Sequence, residues 1–417
     1  NLGDITIRAL DLLKSVDLIA CEDTRVAKRL LSRYHITTRL TVYHEHNAVR
    51  AGSRILNALQ NGAAVALISD AGTPLISDPG YKLVHQAQLA NVSVFSMEMS
   101  VCNYDEDEYG KRYPKLMNQM SANKYDQLKK KLPSLALMNN SQISNMMKMM
   151  GPNYYWPISK ENNSNEALLI LAHGYGQDGD TELYKSMTDF QDDYMTSLAL
   201  GMSMMSSEHI GCSIQEMIHE SIDNIYVVPV SSTPFNTLVR QWKYIFNLEG
   251  DYTYTEVKQI NSTKINFLEP ISDSIYAKKI VLEYANEISL DQTNEVIIII
   301  AHGPVNSDDN IKELKLMNNI GHYILNNSNF SDVQSFTLQD DAPIAIRDNN
   351  VDLIKKFIEK SNHEGKRVLM VSNLMSSKGI QKNIQSDFDG LDYTFNQKGL
   401  LAHPLFKEWI KESIKLQ

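Results

Sequence analysis

An apolar octapeptide occurs twice in this chain, and that repetition limits its architecture more than any other feature. Ala-Leu-Leu-Ile-Leu-Ala-His-Gly at residues 167–174 returns as Val-Ile-Ile-Ile-Ile-Ala-His-Gly at residues 296–303. A near-continuous apolar run without polar alternation describes a strand covered on both faces, as in a parallel sheet flanked by helices. Each copy leads through an acidic turn, Asp178-Gly179-Asp180 or Asp308-Asp309, into a helical pattern. Further strands are predicted at residues 224–230, 252–258, 332–338 and 367–372, with helices between them. Residues 165–417 are therefore expected to form two similar parallel-sheet α/β halves, about 165–290 and 291–417, in one bilobed domain with a cleft between.

The 417 residues are 43% apolar and 22% charged, which fits a globular chain of two or three domains. A net charge of −10 argues against a general binder of nucleic acid or anionic membranes. No apolar run approaches the roughly 20 residues that a bilayer span requires. Cys21, Cys102 and Cys212 stand too far apart for a CxxC zinc site. Residues 1–95 carry ten basic and eight acidic side chains, whereas the remainder carries 30 and 42. Of the 18 methionines, 14 fall between Met97 and Met205. These shifts point to different ancestries for the N-terminal quarter and the rest.

Residues 1–95 alternate helix and strand signals. Helices are predicted at 5–15, 24–34 and 52–61 and from Pro79-Gly80 to about Leu89, and strands at 16–21 and 63–69. Asp70-Ala71-Gly72-Thr73-Pro74 follows the second strand as a loop, where ligands of an α/β sheet collect. The chain opens at Asn1 in mid-pattern, which suggests a truncated start. Residues 96–164 are rich in Met and Asn, with an acidic run at 105–108 and a basic run at 129–131, and read as a linker with a helix or two.

His173 and His302 are the most informative side chains. An imidazole just beyond the carboxyl end of a buried parallel strand sits at the ligand edge, where it can hold a divalent metal or take a proton near neutral pH. The same residue in both repeats strengthens that assignment. Carboxylates placed to assist are Glu182, nine residues past His173, and Asp340-Asp341. His403, in Ala-His-Pro, reads as structural.

The stretches LLILAHG (168–174), VIIIIAHGP (296–304), FTLQDDAP (336–343), RVLMVSNLMSSKGI (367–380) and GLLAHPLFKEWI (399–410) resemble the sirohydrochlorin cobaltochelatase (CbiX-type, class II chelatase) family. The resemblance implies two α/β halves and ATP-independent insertion of Co²⁺, or a similar divalent ion, into a tetrapyrrole substrate. It implies a metal-ligating, proton-accepting role for His173, with His302 as counterpart. Relatives often place a second metal histidine where this chain has Thr233, and residues 376–379 hold none in the second half. One imidazole per half is therefore expected. A non-catalytic tetrapyrrole or metal carrier is the alternative.

The stretches NLGDITIRAL (1–10), DLIACEDTR (17–25), YHEHN (43–47) and ALISDAGTPLISDPGYKLV (66–84) resemble ribosomal RNA small-subunit methyltransferase I, of the tetrapyrrole methylase superfamily. That resemblance implies a partial α/β module using S-adenosylmethionine, with ribosomal RNA as partner and 2′-O-methylation of a cytidine ribose as the reaction. It places Asp70, Ala71, Gly72, Thr73, Pro74, Ser77 and Asp78 at the cofactor. It places Glu22, Asp23, Thr24, Arg25, His44, Glu45, His46 and Asn47 near the substrate. The match covers only part of such a domain. Both resemblances imply cytoplasmic ligands and no membrane partner.

Overall fold

The computed structural model describes residues 7–44, 47–68, 80–90, 92, 94, 102, 104–115, 122–159, 164–219, 222–260, 262, 264–377 and 381–417. The chain divides into two compact units, 1–103 and 104–417. Among the described residues no helix is long and apolar enough to cross a membrane.

The first unit runs α1 (Ile7–Ser15), β1 (Leu18–Cys21), α2 (Thr24–Arg33), β2 (Leu40–Val42), α3 (Ala48–Gln60), β3 (Val65–Ile68) and α4 (Gly80–Leu89). Its strands form a parallel sheet in the order β2-β1-β3. Successive β1 side chains point to opposite faces, so Ile19 packs with Leu13, Leu31 and Ala66 while Ala20 packs with Tyr43, Ala51 and Ile55. α3 buries Ala48, Ala51, Gly52 and Ile55, the spacing of a single helical stripe. Parallel pairing puts Cys21, Val42 and Ile68 level, so all three strands end at one edge.

The second unit is a doubled set of four strand–helix steps behind a short antiparallel extension. The first set is β7 (Glu166–Ala172), α7 (Gly176–Met187), β8 (Met195–Leu200), α8 (Glu208–His219), β9 (Asn224–Pro229), α9 (Thr237–Ile245), β10 (Ile265–Phe267) and α10 (Ile275–Ile288). The second is β11 (Glu295–Ala301), α11 (Ser307–Asn326), β12 (Asp332–Thr337), α12 (Ile344–His363), β13 (Arg367–Ser372), α13 (Gln381–Asp387), β14 (Thr394–Asn396) and α14 (Pro404–Lys415). Strand order is β8-β7-β9-β10 in one half and β12-β11-β13-β14 in the other, all parallel. The repeat read from the sequence is thus a repeat of topology.

Alternation along the central strands divides their side chains between two environments. Leu168 and Ile170 of β7, and Ile297 and Ile299 of β11, enter one cluster with α7, α10, α11 and α14. Val296, Ile298 and Ile300 turn the other way, onto Val351, Ile354 and Ile358 of α12. These side chains are 0–6% exposed, and each contributes about 2 kcal/mol by leaving water. The first cluster is shared by both halves, while the second belongs to the second half alone. His403 is structural, as expected: it caps α14 through Leu405 N–H at 3.2 Å, and its Nε2 meets Glu283 at 2.8 Å.

Residues 104–159 are not a linker. β4 (Tyr104–Glu106), β5 (Arg112–Pro114) and β6 (Tyr154–Pro157) add antiparallel to the free side of β8, giving a seven-stranded sheet. α5 (Ala122–Lys131) and α6 (Asn140–Met149) lie between β5 and β6 in the chain. Arg112 fastens the hairpin, bonding Glu106 at 2.7 Å and Glu216 of α8 at 2.6 Å.

Candidate functional site

Both repeated histidines emerge where the sequence places them, one residue beyond β7 and β11. Each is followed by a glycine in the left-handed region, Gly174 at φ 91° and Gly303 at φ 80°. At Gly303 a Cβ would lie 2.6 Å from Thr337 Cβ, so only glycine fits the turn that presents His302. The two imidazoles stand near enough that charge on His302 disfavours charge on His173. Desolvation is the larger cause and holds the His173 pKa below its ordinary value, although the residue is exposed at the surface. The Gly174 backbone and Asp180 oppose that shift without overcoming it. His173 is therefore neutral at pH 7, with a lone pair to give. Its ring packs edge-on to Tyr175 with centroids 4.5 Å apart.

His302 is oriented by its own turn. Its Nδ1 lies 3.0 Å from the Gly303 carbonyl, which can only accept, so Nδ1 carries the proton and Nε2 is left facing outward. Asp341 Oδ2 lies 3.5 Å from that Nε2. Asp340, its neighbour, is instead committed to Arg347 at 2.8 Å.

Glu313 is a functional candidate that sequence reading missed. It sits on α11, 2% exposed, with one carboxyl oxygen lacking a hydrogen-bond partner among the described residues. Burial raises its pKa to about 7, against a smaller opposing pull from His302 and a hydrogen bond with Thr233. Thr233, which stands where the resemblance would place a second histidine, thus serves this carboxyl. The available signal was position: Glu313 lies on the stripe of Asp309, Met317, Ile320 and Ile324 that α11 buries.

Glu182 projects from the exposed side of α7. The carboxylate that acts on His173 is Asp180, 5% exposed, which accepts from Tyr175 N–H at 2.6 Å and Tyr154 O–H at 2.7 Å. Among the described residues no group of three or more His, Cys, Asp or Glu is gathered tightly enough to hold a metal ion. A cleft of about 400 Å³ opens beside His173. Its walls come from the β4–β5 turn, the chain before β6, the start of α7 and Gly201 after β8. The supposed linker therefore supplies half of the site, and this cleft lies against the first half rather than between the halves.

In the first unit, the assigned residues that are described gather at the carboxyl edge of the sheet. Asp23 caps α2, accepting from Arg25 N–H at 2.7 Å and from its guanidinium at 2.6 Å. The Arg25 hydrogen bonds hold the Asp23 pKa at about 2, so this carboxylate is already engaged. Glu22 and Thr24 flank it half-buried, while Arg25 is exposed. Asn47 accepts from His44 N–H at 2.9 Å and donates to Val42 O at 3.0 Å. Glu45, His46, Asp70, Ala71, Gly72, Thr73, Pro74, Ser77 and Asp78 lie outside the described residues.

Comparison with known proteins separates the two parts. SirB from Bacillus subtilis, solved with Fe³⁺, aligns over 60% of this chain and 94% of its own, at 14% identity and a TM-score of 0.45. DR2241 from Deinococcus radiodurans, described as structurally similar to chelatases, aligns over 60% and 55% at 11% identity and a TM-score of 0.37. Ribosomal RNA small subunit methyltransferase I of Mesorhizobium japonicum is 63% identical over 87 residues, 21% of this chain and 30% of that protein. The Vibrio cholerae enzyme of that name is 53% identical over 94 residues, 22% of this chain and 33% of its own. The chain thus spans about a third of the length of these relatives. Residues 1–96 match the family of tetrapyrrole (corrin/porphyrin) methylases, and it is to that family that the N-terminal segment is similar.

Proposed function

We propose that the unit 104–417 takes up a divalent cation, cobalt or a similar ion, as substrate and inserts it into a sirohydrochlorin-type tetrapyrrole. What supports this reading is the same strand-His-Gly turn in both halves, with His302 close enough to influence the charge of His173. Insertion must remove two pyrrole N–H protons and deliver a partly desolvated cation. The neutral His173 offers a lone pair for the ion. His302 Nε2 and Asp341 Oδ2, 3.5 Å apart, suit two ligands of one ion at about 2 Å each. Glu313, with a pKa of about 7, is poised to accept a proton at neutral pH. A sparse donor set favours a cation that is passed on over one that is kept.

The test is to incubate the full chain with sirohydrochlorin and Co²⁺ and follow the absorbance spectrum. Conversion to the metallated pigment supports the reading. Retained pigment without conversion makes the unit a carrier, and no pigment binding removes it from tetrapyrrole chemistry.

For residues 1–95 we propose a segment of S-adenosylmethionine-dependent methyltransferase type acting on ribosomal RNA, supported by the family match and the common carboxyl edge of β1, β2 and β3. Labelled S-adenosylmethionine and small ribosomal subunits supply the assay. Absence of transferred label withdraws this activity from the chain.

A further inference from the structure

The cleft beside His173 contains a cation with no counter-ion among the described residues. Lys111, at the end of the β4–β5 turn, lines it and is 7% exposed. Its Nζ lies 4.7 Å from the Trp156 ring centroid and 5.1 Å from that of Tyr154, with no carboxylate within ion-pair distance among the described residues. The two carboxylates in the same cleft are engaged elsewhere. Asp107 accepts from Tyr109 N–H at 3.0 Å, Lys111 N–H at 2.9 Å and Tyr113 O–H at 3.1 Å. Asp180 accepts from Tyr154 and Tyr175. The first turn of the 12-residue α7 also presents Gly176 and Gln177 to the cleft, at a helix end that favours anions, beside its own Asp178 and Asp180.

An ammonium taken out of water is costly unless paired, and two aromatic faces compensate only part of that cost. We infer that Lys111 and the N-terminal turn of α7 receive a carboxylate substituent of the tetrapyrrole, fixing the macrocycle in register beside His173. This rests on the chelatase reading and adds to it a determinant of substrate charge. The surrounding rings of Tyr109, Tyr113 and Tyr154 suit the flat body of such a ligand.

Binding of metal-free sirohydrochlorin to the full chain, and of its neutral methyl ester, provides the test. Lys111→Met keeps the apolar stem over Trp156 and removes the charge; Lys111→Gln is the second variant should Met disturb the packing. The expected result is about tenfold weaker binding of the acid, unchanged binding of the ester, and recovery in Lys111→Arg. Co²⁺ affinity without pigment should not move. Equal binding of the acid by parent and Lys111→Met overturns this inference alone and leaves the chelatase reading standing. A parent that binds no pigment overturns both. Displacement of the Lys111-dependent binding by low millimolar phosphate or acetate assigns the site to a free anion, and also overturns it.

Discussion

Replacing Glu313 by glutamine converts a buried carboxyl into a measurable dependence of stability on pH. In the folded protein the group is 2% exposed and titrates at about 7, against 4.5 for an unperturbed glutamate. Because the folded pKa is raised, the sign is opposite to that of an ion-paired acid. Near pH 4 the residue is protonated in both states, and its contribution does not vary with pH. As the pH climbs from 4.5 to about 7, the unfolded chain releases the proton while the folded protein keeps it, so stability falls. At roughly 1.4 kcal/mol per tenfold change in acidity, the whole interval costs about 3 kcal/mol. The three tryptophans, Trp156, Trp242 and Trp409, all belong to the unit 104–417, so their fluorescence in urea reports that unit within the full chain. Parent and Glu313→Gln should differ by some fixed amount near pH 4. They should then diverge by about 3 kcal/mol in favour of the variant by about pH 8. Only the divergence matters, so the lost hydrogen bond with Thr233 cancels. Curves that remain parallel within about 0.5 kcal/mol over that range refute the neutral buried carboxyl and its place in proton transfer.

His173→Ala should abolish cobalt insertion into sirohydrochlorin while His302→Ala should reduce it less, and full rates in both variants would remove the pair from the site. Arg240 binds Asp309 at 2.8 Å across the two halves, and Asp309 is 5% exposed. Arg240→Ala leaves that carboxylate, among the described residues, only Lys312 at 3.1 Å, so urea unfolding should show a loss of about 2 kcal/mol; a loss under about 0.5 makes the pair incidental. A Cβ on Gly399 would lie 2.4 Å from the backbone oxygen of Met375, so Gly399→Ala should cost about 3 kcal/mol in the same assay, and a neutral outcome contradicts the packing there.

The doubled half was legible because its central strands are buried on both faces and so read as unbroken apolar runs. β8 escaped notice because Thr196 and Ser197 interrupt its pattern; the burial of Ser197 is balanced by a 2.9 Å hydrogen bond from Ser213. Residues 252–258 were expected as a strand for their alternating tyrosines and threonines, yet they form none. The Gln241 side chain takes the part a neighbouring strand would play, binding Thr253 N–H at 2.9 Å, Tyr254 N–H at 3.1 Å and Thr255 O at 3.0 Å. β4, β5 and β6 are three or four residues long, too short for any period to show. The acidic run there is expected in a linker, whereas Asp107 organises the turn that carries Lys111. At the site, both histidines were visible from the repeat. Asp180, rather than Glu182, faces the site because it is the α7 carboxylate that meets Tyr154 of β6, which sequence spacing does not tell.

The shared core also decides how a flat ligand could enter. A jaw-like swing of the halves would expose the isoleucines, Trp409 and Phe406 that α7, α10, α11 and α14 press between the sheets. The β4–β5 ribbon is held by the Arg112–Tyr155 ladder position, the Arg112–Glu216 ion pair, the Trp156 Nε1–H bond to Tyr109 O at 2.9 Å and the contacts of Lys111 with Trp156 and Tyr154. Local opening selects the least costly element. Any opening at the ribbon would have to release Tyr109, Lys111 and Arg112 together, which is still fewer side chains than the shared cluster would expose.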